Sequence, residues 1–178
     1  MKKTERQTLL QLARTTIIAQ TTGHPLPGIE APSPALQSHS GCFVTIKQKG
    51  QLRGCIGSFV AQQPLWQTVR EMAVSAATRD PRFYPIKESD LADFKLEISV
   101  LSPLQRIQSI DDIQVGIHGL YLIKGNNHGV LLPQVATEYG WDRDTFLRHT
   151  CLKAGLPETA WQEKCEIYIF SAEVFGEE

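Results

Sequence analysis

The densest group of chemically capable residues in the chain is Leu52-Arg53-Gly54-Cys55-Ile56-Gly57. The thiolate is the form of cysteine that attacks electrophiles or ligates metals, and a neighbouring guanidinium favours it. Arg53 and Cys55 are two residues apart, so on a regular strand their side chains leave the same face. Two glycines in a strand remove side chains to pack, and they mark a bulge or a place where something approaches the backbone closely. Two readings of Cys55 are open: a reactive thiol beside Arg53, or a small residue filling the core, where free cysteines most often lie.

Three other places carry titratable groups. His118 lies in Gly116-Ile117-His118-Gly119 ahead of a β-rich run, where an imidazole at a strand end can act as a general base or a ligand. A hydrogen-bonded structural histidine is the alternative. Asp80-Pro81-Arg82-Phe83 sets an acid and a base around a proline, either as a local salt bridge or cap or as a fixed anion-binding arginine. Glu97 interrupts an apolar strand, as a general acid/base if its face is covered and a solvated edge residue if it is not. No HxxxH, HExxH or CxxC spacing occurs, so local sequence specifies no metal site. GxGxxG, GxxxxGK[ST] and GxSxG are absent, which disfavours dinucleotide, P-loop and α/β-hydrolase chemistry.

The elements that position these residues follow from periodicity and turn chemistry. Residues 4–20 carry Leu9, Leu10, Ala13, Ile17 and Ile18 at helical spacing. Four prolines between 25 and 34 impose an extended connection over 21–40, long enough to need an anchor. Residues 42–47 and 51–57 form a hairpin. A three-residue loop, Gln48-Lys49-Gly50, is expected there, because it spares Lys49 a positive φ and puts Val44, Ile46, Leu52 and Ile56 on one face. Thr45, Lys47, Gln51, Arg53 and Cys55 then share the other. A helix is expected from Pro64 to Thr78, and a strand over 94–101 buries Phe94, Leu96, Ile98 and Val100. A second hairpin turns at 125–128, helices cover 133–139 and 142–154, and one strand closes the chain at 165–174. The sum is an α+β fold of five or six strands, mainly antiparallel, with flanking helices.

Composition bounds the class. A chain of 178 residues, 42% hydrophobic, builds one core without a disulfide or metal staple. Eighteen Lys+Arg against nineteen Asp+Glu argue against a protein that works by neutralising nucleic-acid phosphates or anionic lipid. Cys42, Cys55, Cys151 and Cys165 form no close pair, and the chain opens Met1-Lys2-Lys3-Thr4-Glu5 without an apolar leader. No stretch approaches the ~20 apolar residues of a membrane span. The expectation is a cytoplasmic protein with four reduced thiols and no membrane segment.

Seven runs occur in order from about residue 7 to 175: Phe43-Val44-Thr45, Leu52-Arg53-Gly54-Cys55-Ile56-Gly57, Asp80-Pro81-Arg82-Phe83, Glu97-Ile98-Ser99-Val100-Leu101, His118-Gly119-Leu120, Leu132-Pro133-Gln134-Val135-Ala136 and Lys153-Ala154-Gly155-Leu156. Together they resemble the AMMECR domain family, whose prokaryotic members are called AmmeMemoRadiSam system protein A. The resemblance implies one domain over the whole chain, in two unequal parts, the larger built from both chain ends around an antiparallel sheet. It implies association with a Memo-family protein, similar to extradiol-type non-haem iron dioxygenases, and with a radical SAM enzyme, in shared metabolism or modification. The family's motif cysteine falls on Cys55, its neighbouring arginine on Arg53 and its histidine on His118, while Arg82, Glu97 and Gln134 fall in the other motifs. The candidate set is therefore Cys55, His118 and Glu97 for catalysis and Arg53, Arg82 and Gln134 for substrate, with no metal assigned and the cofactor left open. A thiol-dependent enzyme and a binding module for a partner protein or small anionic ligand are the two functions to separate, with a nucleic-acid-associated factor third. The enzyme reading expects Cys55 and His118 in one concavity.

Overall fold

The computed structural model of the chain describes residues 1–177. The elements run α1 (Lys3–Thr22), α2 (Pro34–Gln37), β1 (Cys42–Gln48), β2 (Gln51–Ser58), α3 (Leu65–Thr78), β3 (Lys95–Leu101), β4 (Gln105–Arg106), β5 (Gly119–Lys124), β6 (Asn127–Leu131), α4 (Pro133–Glu138), α5 (Arg143–Lys153), β7 (Glu166–Phe170) and β8 (Ala172–Gly176). The fold is α+β, with two four-stranded sheets ordered β2-β1-β3-β8 and β4-β7-β5-β6. The chain divides into two compact units, the first comprising Met1–Leu101 with the chain's end from Glu173, the second Ser102–Ala172. No helix among the described residues is long and apolar enough to cross a membrane.

In the first unit, α1 and α3 cover one face of the sheet. Cys42, Val44 and Ile46 of β1 and Leu96, Ile98 and Val100 of β3 alternate inward, joining Leu9, Ala13 and Ile17 of α1 and Leu65, Val69, Ala73 and Ala76 of α3 in one core. The residues that α1 buries are Leu9, Leu12, Ala13, Thr16, Ile17 and Ala19; Leu9, Ala13 and Ile17 are as expected, whereas Ile18 is exposed. The proline-rich connection is anchored by the short helix α2, whose Leu36 is buried. Ser38 further on accepts the backbone N–H of Leu65 at the start of α3.

The hairpin β1-β2 departs from the expected register. Gln48 pairs with Gln51 across a two-residue turn, and the register shifts by one between Ile46 and Lys47, so that Lys47 faces Leu52 while Ile46 faces Gly54. Lys49 therefore does adopt a positive φ, 52°. Arg53 is the unpaired residue of the resulting bulge, which also turns Leu52 outward, where it is exposed. Beyond the bulge, Thr45 faces Cys55 and Val44 faces Ile56, so Cys55 lies on the outer face of the sheet, opposite the helices.

In the second unit, α5 packs Phe146, Leu147 and Cys151 against Leu120, Leu122, Ile167 and Ile169 of the sheet. The hairpin β5-β6 turns through Gly125-Asn126 alone, and Asn127 and His128 belong to its strand. The expected closing strand is two strands, β7 and β8, which join different sheets on either side of Ser171. Ser171 exchanges hydrogen bonds with Ser102, the residue at which the second unit begins.

The glycines of the hexapeptide answer to the protein's own packing. A Cβ on Gly54 would sit 2.3 Å from the carbonyl oxygen of Ala76 in α3, and one on Gly57 2.2 Å from the ring of Phe43. The first contact is backbone on backbone and leaves nothing to rotate away. Gly54→Ala is expected to destabilise the protein by about 3 kcal/mol in urea unfolding. A loss below about 0.5 kcal/mol would show that α3 does not rest on β2 in this way.

Candidate functional site

Cys55 sits on β2, the free edge of the first unit's sheet. An edge strand presents unpaired backbone groups, and here a loop supplies partners for them. After α3 ends, Asp80 turns its carboxylate back to the strand and accepts the N–H of Cys55 at 2.9 Å. The same carboxylate accepts the backbone N–H of Arg82 at 3.1 Å, its Nε at 3.0 Å and its Nη2 at 2.7 Å. Arg82 Nη2 lies 3.4 Å from the Cys55 carbonyl oxygen, so it also touches the acceptor side of that residue. The Asp80 side chain is 2% exposed and that of Arg82 55% exposed, so a buried anion fixes an exposed cation. The Arg82 guanidinium bonded to Asp80 holds its carboxyl well below the usual carboxylate range, against burial, which pushes it up; the N–H groups of Cys55 and Arg82 add to the lowering.

The thiol has its own donor: Thr45 Oγ1 donates to Cys55 Sγ at 3.2 Å. Thr45 in turn faces Glu97 on β3, so Cys55, Thr45 and Glu97 form one row across three strands of the outer face. Glu97 is not an isolated acid under cover. It accepts from Lys47 Nζ at 2.8 Å and is about a third exposed.

Arg53 is elsewhere. Its guanidinium donates to the carbonyls of Tyr84 at 2.8 Å and Pro85 at 3.4 Å and pairs with Asp90 at 3.3 Å. Asp90 also accepts the N–H of Lys87. Arg53 is the bulged residue and its guanidinium is engaged by the 84–90 loop, so the guanidinium bonded to Cys55 is that of Arg82. The expectation that Asp80 and Arg82 form a local ion pair holds, with Cys55 as an unforeseen third member. Thr45 was expected on the same face as Cys55, but the expected register set it opposite Arg53; Asp80 was not foreseen, since nothing local links it to a residue 25 positions away.

His118 and Gln134 belong to the second unit. The N–H of Gln114 donates to His118 Nδ1 at 3.1 Å, so the neutral ring carries its proton on Nε2 and offers a donor there. Gln134 lies in the first turn of α4 with its side chain exposed. Gly119, next to His118, is held glycine by the Phe170 ring, 2.3 Å from where a Cβ would be. Among the described residues no group of three or more His, Cys, Asp or Glu side chains could hold a metal ion.

The depressed carboxyl of Asp80 fixes a pH dependence. A group whose pKa is lower folded than unfolded contributes stability above the unfolded value, about 4 for a carboxyl, and that contribution fades as pH falls. Asp80→Asn should therefore narrow its stability gap to the parent protein between about pH 5 and pH 2 in urea unfolding. A gap that stays constant would mean that the Asp80 carboxylate is not held by Arg82.

Against known proteins, the AMMECR1 family model matches residues 10–175. The chain is 41% identical over 184 residues to protein MK0488 of Methanopyrus kandleri, covering 98% of this chain and 89% of that one. It is 40% identical over 186 residues to a protein of Methanothermobacter thermautotrophicus, covering 100% and 97%. The crystal structure of the uncharacterized protein PH0010 from Pyrococcus horikoshii superposes with a TM-score of 0.88 at 36% identity, covering 100% of this chain and 94% of that one. Nearly complete coverage by the model, the sequences and the fold leads to one assignment: this chain belongs to the AMMECR1 family.

Proposed function

We propose that the outer face of the first unit's sheet around Cys55 is a thiol-dependent catalytic site for a small anionic substrate. The observation that carries the reading is the hydrogen bond from Thr45 to the Cys55 sulfur, made beside a guanidinium that Asp80 has already fixed in place. The hydroxyl fixes the direction of the sulfur, and the guanidinium stands beside the same residue, bonded to its carbonyl oxygen. Arg82 keeps further N–H groups for an incoming oxyanion, and its anchoring lowers the entropy lost on binding. In this reading Cys55 gives its proton to solvent and its electron pair to a carbonyl carbon of the substrate, the C–S bond forming as the C=O π pair moves onto oxygen, and Arg82 holds the oxyanion so formed. Arg53 orders the loop from Tyr84 to Asp90, and Glu97 holds Lys47 in the adjoining row. His118 and Gln134 are assigned no step.

The other cysteines are poor competitors. Burial pushes the Cys42 thiol up to about 12, and burial likewise raises those of Cys151 and Cys165. The family resemblance supports the wider proposal that the reaction is one step of a process shared with a Memo-family protein and a radical SAM enzyme in a reducing cytoplasm, where all four thiols stay free.

Iodoacetamide under native conditions near neutral pH should label Cys55 at least about tenfold faster than any other cysteine, as read by mass spectrometry. Arg82→Met keeps the stem and removes the charge, so it should slow that labelling. Arg53→Met should lower the Tm yet leave the labelling rate within about twofold. A Cys55 that labels no faster than Cys165, and whose replacement by serine mainly destabilises the fold, would move the assignment to a binding module.

A further inference from the structure

A cavity of about 180 Å³ opens where the β1-β2 turn meets the ends of β3 and β8, and Lys47, Lys49 and Lys95 line it together with Asp93, Glu97 and Glu177. Its charge is less balanced than that count implies. Glu177 has both carboxylate oxygens on Arg14, and Glu97 is bonded to Lys47. That leaves Lys49 and Lys95 against Asp93. Lys47, with Glu97 on it, stands directly opposite Lys95 on β1 and β3, so a second like charge is set beside a lysine whose one carboxylate is already taken.

Lys49 adds an independent observation. It is the one non-glycine residue among the described residues with a positive φ, at the first position of a two-residue turn where asparagine, aspartate or glycine fits with less strain. A lysine there gives up stability and supplies an ammonium group to the cavity.

We propose that this cavity binds the phosphate of an elongated phosphorylated metabolite. Lysines suit a tetrahedral phosphate as point charges, without the planar fork that pairs with a carboxylate. The volume admits a phosphate and a few further atoms, not a macromolecule. The proposal rests on the thiol reading for the ligand's other end: Cys55 lies on the same outer face, two strands and two residues from Lys95, about 12 Å between Cα atoms. The substrate then spans from a phosphate among the lysines to an electrophilic carbon at Cys55.

The test is a titration of the full chain with inorganic phosphate at low ionic strength, followed by amide chemical shifts, with acetate in parallel. Phosphate should give saturable shifts confined to Lys47, Lys49, Gly50 and Lys95, and acetate should bind more weakly. Lys49→Asn should raise the Tm by a few degrees and yet weaken phosphate binding about fivefold or more. The double change Lys49→Asn with Lys95→Gln should remove the binding. No saturable shift, equal shifts at lysines over the whole surface, acetate binding as tightly as phosphate, or full affinity in Lys49→Asn would each overturn the proposal. Cys55→Ser should leave phosphate binding unchanged, so failure of the thiol reading and failure of the phosphate site are read separately.

Discussion

Asp80 is a carboxylate removed almost entirely from water, and such a group is costly unless every lone pair finds a donor. Four donors meet it, three from Arg82 and one from the backbone of Cys55. The arrangement ties the segment after α3 to the free edge of β2, closing an edge that would otherwise offer an unpaired N–H. It also places a cation beside the thiol without leaving that cation mobile. Removal of the carboxylate would strand the Cys55 N–H and release Arg82 together, so strand edge and site chemistry depend on one group.

The same helix that delivers Asp80 explains the composition of the hexapeptide. Ala76, two residues before the end of α3, lays its carbonyl on Gly54, and four residues later Asp80 reaches Cys55. Gly57 accepts the Phe43 ring, Ile56 packs against the core, and Arg53 leaves the ladder at the bulge to hold the carbonyls of Tyr84 and Pro85. Cys55 presents its sulfur to the outer face, where Thr45 donates to it. The glycines are demanded by the helix and by a phenylalanine ring, not by room for a ligand.

Hydrophobic periodicity made most of the architecture legible, including α1, α3, α5 and the two hairpins, because each buries one face against a core. The failures have specific causes. The bulge at Arg53 was invisible because a three-residue loop and a two-residue turn plus bulge put Val44, Ile46 and Ile56 on one face and Thr45 and Cys55 on the other alike, although they pair different residues, and the three-residue loop avoids strain at Lys49. The strand over 165–174 reads as continuous because alternation passes through Ser171 unbroken, and only the pairing with Ser102 shows that the chain changes sheets there. At the site, Cys55 and Arg82 were legible as residues, but their association was not. It depends on where α3 stops relative to the edge of β2, which is a property of packing and not of local pattern.

The most direct measurement is hydrogen exchange at the backbone amide of Cys55, read by NMR alongside the Val44 amide of the central strand. With Asp80 as its acceptor, the Cys55 amide should be strongly protected in the native protein although it lies on an edge strand. In Asp80→Ala it should exchange at least about a hundredfold faster while Val44 stays protected. A Cys55 amide that exchanges freely in the parent protein, or one whose protection survives the loss of Asp80, would contradict the account.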